Sequence, residues 1–341
     1  MSTAPRSRIP WHTIVIAAAT IGLLWLFFRN INLAETWVAM THAHVGYLAA
    51  AVCATLSTYT LRALRWQALL RPVGATRLRV TFRATVIGFT AIFLLPGRVG
   101  EVLRAYLVAR QEGLKFTATF ATVVIERLLD VTTVLLLFAL SLPLLKVDVG
   151  RQVELAGIVA AGGSVLALIV LFVMAGHPDR LGRWAGRLGQ RLPRKMADVF
   201  QHAVQAFAEG LAVMRRPSDL VAAMAWSLPV WFSIAVGIWL TSHAFDLTLS
   251  FVGSFLVVGY LAVGVSLPTP GGAGGFHYFY WLALTSFFGA DPAVAGAAAI
   301  ILHAISFVPV TILGLFFMWQ DGLTLGRLKQ MRVEAQAAET P

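Results

Sequence analysis

Long apolar runs, several close to the length of a bilayer crossing, constrain this sequence more than any other feature. A helix needs about 20 mainly apolar residues to cross the hydrocarbon core. Six segments approach or exceed that length, roughly 11–28, 45–61, 117–145, 155–175, 220–244 and 294–319. Of the 341 residues, 58% are hydrophobic and only 13% are charged, too few charges to cover a soluble domain of this size. The expectation is an all-α polytopic membrane protein, one transmembrane domain over residues 1–341 with about six full transmembrane helices. Trp11 and Trp25 read as interfacial anchors of the first run. No small-residue cleavage site precedes Arg29, so that run reads as a span and not as a secretory signal. A short polar stretch, 29–44, follows it.

Two further apolar segments are too short to cross. Residues 85–95 run into Pro96-Gly97-Arg98-Val99-Gly100-Glu101, and a second short segment, 102–110, follows. Residues 251–267 run into Pro268-Thr269-Pro270-Gly271-Gly272-Ala273-Gly274-Gly275, followed by 276–288. Proline and glycine interrupt a helix, and two half-length helices around such a break describe a re-entrant hairpin. The order span, hairpin, span occurs twice, in repeat 1 (about 45–145) and repeat 2 (about 220–319). The two hairpins enter from opposite sides, which makes the repeat an inverted one, as in secondary transporters. The competing reading is two ordinary helices kinked by incidental proline and glycine.

The formal net charge is +11. Its basic residues lie in loops between apolar runs, which argues for topology and against nucleic-acid binding. With the N-terminus in the cytoplasm and each hairpin returning to its side of entry, 23 Lys and Arg fall on the cytoplasmic side and 3 outside. That asymmetry predicts a protein integral to the cytoplasmic (inner) membrane with both termini cytoplasmic. A basic cytoplasmic face also attracts anionic lipid head groups. Residues 177–216 form a basic cytoplasmic loop, within which 196–214 has the apolar spacing of an amphipathic surface helix.

Charge inside the apolar region marks the candidate site. Arg98 and Glu101 flank Gly100 at the first tip, and Arg104 lies one turn on. Glu126 and Asp130 share a face of the third span, with Arg127 beside them. Guanidinium groups bind phosphate through paired donors, and carboxylates hold the guanidinium groups in place. The same charges also suit a structural ion-pair network that ties hairpin to span, and both roles can coexist. At the uncharged second tip, Gly271, Gly272 and Gly274 allow close backbone approach, and the helix start at Phe276 offers free N–H groups to an anion. His277 follows, where a packed histidine is the simpler reading. No nucleophile stands beside a base, since Ser266 has no orienting acid nearby. Cys53 is the single cysteine, and the histidines show no metal-ligand spacing. No ATP-binding GxxxxGK[ST] motif occurs. The sequence therefore predicts neither catalytic residues nor metal nor cofactor.

At these residues the sequence resembles a known family. The stretches LLPGRVGEVLRAYLV, ERLLD and SLPTPGGAGGF are similar to the membrane region of the lysylphosphatidylglycerol synthase/flippase family, and the resemblance spans roughly residues 10–325. It implies movement of phospholipid or polyprenyl-linked head groups between leaflets, with Arg98, Glu101, Glu126, Arg127 and Asp130 as motif positions. The chain departs from the pattern at His277, where the family often has a glutamate, which points to a different lipid. The full synthases carry an aminoacyl-transferase domain after the membrane region. Ending at Pro341, this sequence is expected to be a stand-alone member that does not transfer lysine from tRNA. The leading expectation is a flippase-like transporter of a lipid with an anionic or lipid-linked phosphate head group, not an enzyme. The alternatives are a membrane-embedded enzyme or accessory subunit of lipid or glycan biosynthesis and, more distantly, a small-solute or ion transporter. A second copy of the chain and a lipid-synthesis enzyme are the protein partners these readings allow.

Overall fold

The computed structural model describes residues 11–95, 99–145, 147, 149–175, 217–267 and 269–323. Every regular element among them is helical. The chain runs through α1 (Trp11–Phe28), α2 (Leu33–His42), α3 (Val45–Leu70), α4 (Leu78–Leu94), α5 (Val99–Glu112), α6 (Phe116–Ser141) and α7 (Arg151–Ala175). It resumes with α8 (Pro217–Ala244), α9 (Phe251–Ser266), α10 (Gly275–Phe288) and α11 (Pro292–Gln320). The loop predicted at 177–216, with its amphipathic segment, lies outside the described residues, as does the first hairpin tip, 96–98.

Local chemistry sets several boundaries. Asn32, Ser250 and Asp291 cap α2, α9 and α11 by accepting hydrogen bonds from Ala34, Gly253 and both Ala293 and Val294. Pro292 then occupies the first turn, where its missing N–H costs nothing. Gly289, in the left-handed conformation at φ 61°, ends α10.

Among the described residues, three helices are long and apolar enough to cross a membrane unaided, in α7, α8 and α11. The pair α1–α2, bent by 78°, makes a fourth if it counts as one span. The stretch read as polar, 29–44, is thus largely helical, because Asn32 starts a new helix directly after the break. Helices α3 and α6 have the length, 26 residues each, but carry charge, α3 in its last third and α6 at its middle. In α3 the sequence placed the end of the span at Leu61 and assigned Arg62 and Arg65 to a basic loop. Instead the helix continues to Leu70 and buries both arginines. Their acidic partners on α6 make burial tolerable, and Trp66, Leu69 and Leu70 beyond them enter the core.

Each interrupted segment folds as an antiparallel pair. At the open end of α4–α5, Arg77 meets Glu112 through its backbone N–H (3.1 Å) and its guanidinium (3.2 Å). Nearer the tip, Gly88 and Gly100 let the backbones touch, and a Cβ on Gly100 would collide with the Gly88 carbonyl. The pair α9–α10 repeats the device with Gly264 and Gly275, while Phe288 closes against Gly253 at its open end.

Helices α3 and α8 pack antiparallel along their length. His44 N–H donates to the Ala244 carbonyl at one end (2.8 Å), and Thr58 meets Ser233 further along (2.8 Å). The first hairpin opens at the far end of α3 and the second beside the His44–Ala244 end. The contacts of the set α3–α6 recur in the set α8–α11. α3 packs on α4 as α8 does on α9, α5 on α6 as α10 does on α11, and α4 on α11 as α9 does on α6.

Candidate functional site

Helix α6 is the acidic wall of the site. Glu126 and Asp130 lie one turn apart on α6, and both are buried. Arg65 of α3 bridges them, Nη1 to Asp130 Oδ1 at 2.7 Å and Nη2 to Glu126 Oε1 at 3.0 Å. Arg62, one turn before Arg65, reaches Asp130 Oδ2 at 3.3 Å. From the first hairpin, Arg104 Nη1 lies 3.1 Å from Glu126 Oε2. Arg127 joins Asp130 (3.3 Å) to Glu101 (3.3 Å). Helix α8 completes the wall, with Trp231 donating to Asp130 at 3.1 Å and Ser227 accepting from Arg65 at 3.1 Å.

Four guanidinium groups thus face three carboxylates, Glu101, Glu126 and Asp130, and the described cluster holds one positive charge in excess. Nε and Nη2 of Arg104 are buried without a hydrogen-bond partner. Aromatic faces take up part of this charge. Phe89 of α4 lies 5.0 Å from Arg62, 5.4 Å from Arg127 and 5.8 Å from Arg104, and Trp66 lies 4.8 Å from Arg104.

The structure therefore brings together Glu101, Arg104, Glu126, Arg127 and Asp130 as the sequence predicted, and Arg98 falls outside the described residues. It adds Arg62, Arg65, Phe89, Ser227 and Trp231, which sequence reasoning missed. The available signal was helical spacing: in TLRALRWQALL, Arg62 and Arg65 fall one turn apart on a continuing helix face.

A cavity of about 200 Å³ adjoins the cluster. Both helix sets line it, through Tyr59, Arg62 and Phe89 on one side and Leu261, Phe276 and Phe307 on the other. Among the described residues, Arg62 is its one charged side chain. A larger, open depression of about 920 Å³ lies at the loop end of the bundle around Arg77, Arg79, Arg83 and Asp321. It has no part in the buried cluster.

The remaining predicted residues form a separate group at the second tip. Gly271, Gly272 and Gly274 all have positive φ, which only glycine adopts freely. A Cβ on Gly274 would strike Leu23 of α1. His277 is half-buried, stacked against His303 of α11 at 4.4 Å and 5.4 Å from Phe27. No arginine or carboxylate joins this group within hydrogen-bond or ion-pair distance among the described residues.

Residues 12–314 match the family model described as the lysylphosphatidylglycerol synthase TM region. The chain is also similar to the glycosyltransferase AglD of Haloferax volcanii, at 26% identity over 91% of this chain and 54% of that protein. It thus spans about half the length of that relative. Two UPF0104 membrane proteins of Methanothermobacter thermautotrophicus are similar at 25% identity (88% of this chain, 92% of the relative) and 24% (79% and 82%). No solved structure matches. The helices, the buried charges at the motif positions and the family match together make this chain an integral membrane protein that belongs to the lysylphosphatidylglycerol synthase TM-region family.

Proposed function

We propose that the protein moves a lipid with an anionic, phosphate-bearing head group between the leaflets of the cytoplasmic membrane. The observation that carries this reading is Arg62. Among the described residues it is the one charged side chain on the wall of the cavity between the two helix sets, and it belongs to a cluster with positive charge in excess. Charge at membrane depth is costly unless it is paired or serves a polar cargo. A phosphate would balance the excess, while the surrounding aromatic and aliphatic walls suit the apolar part of a lipid.

The topology that goes with this reading has six spans, α1, α3, α6, α7, α8 and α11, with α4–α5 and α9–α10 as re-entrant hairpins of an inverted repeat. The matching contacts of the two sets and the opposite open ends of the hairpins support it. Both termini are then cytoplasmic. Arg62, Arg65 and Arg104, counted among the cytoplasmic charges, are buried. Without them the count is 20 against 3, and the orientation is unchanged.

The test is leaflet exchange in proteoliposomes with head-group-labelled lipids, polyprenyl phosphates included. Wild type exchanges at least one anionic lipid, and Arg62→Ala abolishes exchange while the protein still elutes as a folded monodisperse species. Arg62→Lys, which keeps the charge but loses the forked donor geometry, retains partial exchange.

The similarity to a protein named glycosyltransferase favours a second reading, an accessory subunit or membrane-embedded enzyme of lipid-linked glycan synthesis. Wild type would then exchange no lipid under any imposed ion gradient. It would instead co-purify with a synthase or form product from a sugar donor and a lipid acceptor.

A further inference from the structure

Beside the second hairpin tip lies a pair of half-buried imidazoles to which lipid binding assigns no task. His303 of α11 and His277 of α10 stack with centroids 4.4 Å apart and planes tilted by 33°. His303 Nε2 lies 2.9 Å from the carbonyl oxygen of Gly271. A carbonyl only accepts, so Nε2 carries the hydrogen, and His303 ties α11 to the hairpin tip. Nδ1 of His277 is buried with no hydrogen-bond partner.

The surroundings are aromatic. Phe27 of α1 lies against His277, and Phe276 and Phe307 lie against His303 at 5.2 and 4.3 Å. Phe307 continues to Phe93 at the end of α4, 4.3 Å away, which joins the tip of one hairpin to the other. Phe93, Phe276 and Phe307 also line the central cavity. The histidine pair is thus one aromatic layer from the cavity, and His303 is bonded directly to the hairpin tip, whose Gly272 lies beside the cavity-lining Phe276 and Phe307. The only histidine–carboxylate contact among the described residues is His44–Asp246, at the bundle end. Among the described residues that line the cavity, the charged one is Arg62.

We propose that His277 and His303 form a proton-binding pair whose protonation parts the second hairpin tip and opens the central cavity. One proton adds to a ring nitrogen lone pair and leaves by the same bond. Two cationic rings at this separation repel strongly, so the stack takes one proton and not two. The added charge favours water over the ring faces of Phe276 and Phe307, and separating the stack loosens the His303–Gly271 tie. Use of this step to drive lipid movement rests on the transport reading above, whereas proton uptake and cavity opening do not.

Two measurements on the full chain in nanodiscs test the proposal. The first is nitrogen NMR of labelled histidines, titrated from about pH 8 to about pH 4, bracketing the imidazole range. Wild type shows one titration step that the double variant His277→Phe/His303→Gln lacks. Here Phe preserves the stacking shape, and Gln preserves a donor to Gly271. Identical titrations of the two proteins overturn the proposal.

The second reads the cavity through Ser306→Cys in a Cys53→Ser background, labelled with a water-soluble thiol reagent. At about pH 5, labelling is severalfold faster with the native histidines than in the double variant, and at about pH 8 the rates match. Comparison at equal pH cancels the ionisation of the thiol. Equal rates at both values overturn the link to cavity opening. Neither measurement uses lipid movement. Failure of leaflet exchange alone removes the transport reading, and failure of these two alone removes the proton site.

Discussion

Glu126 accepts hydrogen bonds from two arginines on two helices, Arg65 of α3 and Arg104 of α5. Its carboxylate is therefore the joint between the first hairpin and the rest of the bundle. Removing one partner of a buried pair costs about 3–5 kcal/mol, because the charge left behind has neither water nor counter-ion. Glu126→Gln is expected to lower the thermal midpoint of the detergent-solubilised protein strongly. Arg127→Gln should cost far less, since the Arg127 side chain is 28% exposed and water can replace its partners. Equal losses for the two variants would contradict the placement of Glu126. His277 gives the opposite sign. A buried ring nitrogen without a partner costs about 1–3 kcal/mol, so His277→Phe should raise the thermal midpoint. Most of this chemistry was legible as residue types, because a charge inside an apolar run stands out. The pairing was not, since Arg62 and Arg65 find their carboxylate partners 61 to 68 positions away.

At the scale of the element, glycine decides how the half-length helices pair. Gly88 meets Gly100 in one hairpin, and Gly264 meets Gly275 in the other. Small residues let membrane helices approach until their backbones touch. Gly100→Ala is expected to force the pair α4–α5 apart at a cost of about 1–3 kcal/mol, as overpacking does. Gly22→Ala serves as the control, because nothing lies within 4 Å of the added carbon and alanine favours the helix interior, so it should not lower the midpoint. Similar midpoints for the two variants would mean that the hairpin is not closed as described. The same close packing joins the two helix sets: Thr90 of α4 seats against Gly314 of α11, and its hydroxyl donates to the Val310 carbonyl at 3.1 Å. The sequence marked both breaks through proline and glycine, yet Gly88 and Gly264 gave no sign of their role, since a single glycine in an apolar run is unremarkable until its neighbour is known.

Across the whole molecule, basic residues gather at one end of the bundle, where Arg77 pairs with Glu112 and Arg83 with Asp321. The proposed topology puts this end in the cytoplasm. In a Cys53→Ser background, Ala75→Cys should react with an impermeant reagent only from the cytoplasmic side. Thr248→Cys, at the other end, should react only from outside. The reverse pattern would invert the orientation, and reactivity of both from one side would remove the inverted repeat. The cavity lies between the two sets and not within either, so under the proposed transport function its alternate opening to the two sides would require one set to rock against the other.

The sequence alone determined the helical membrane character of the chain, its two interrupted segments and the presence of charge at their level. These follow from local composition: apolar length favours a membrane helix, and proline with glycine breaks it. Only the tertiary structure decided that α3 runs past Arg62 and Arg65, that these arginines share carboxylates with Arg104 and Arg127, and that His277 stacks on His303. Each of these is a contact between distant segments. Its energy depends on a partner brought close by packing, and such a partner leaves no trace in the local pattern of the chain.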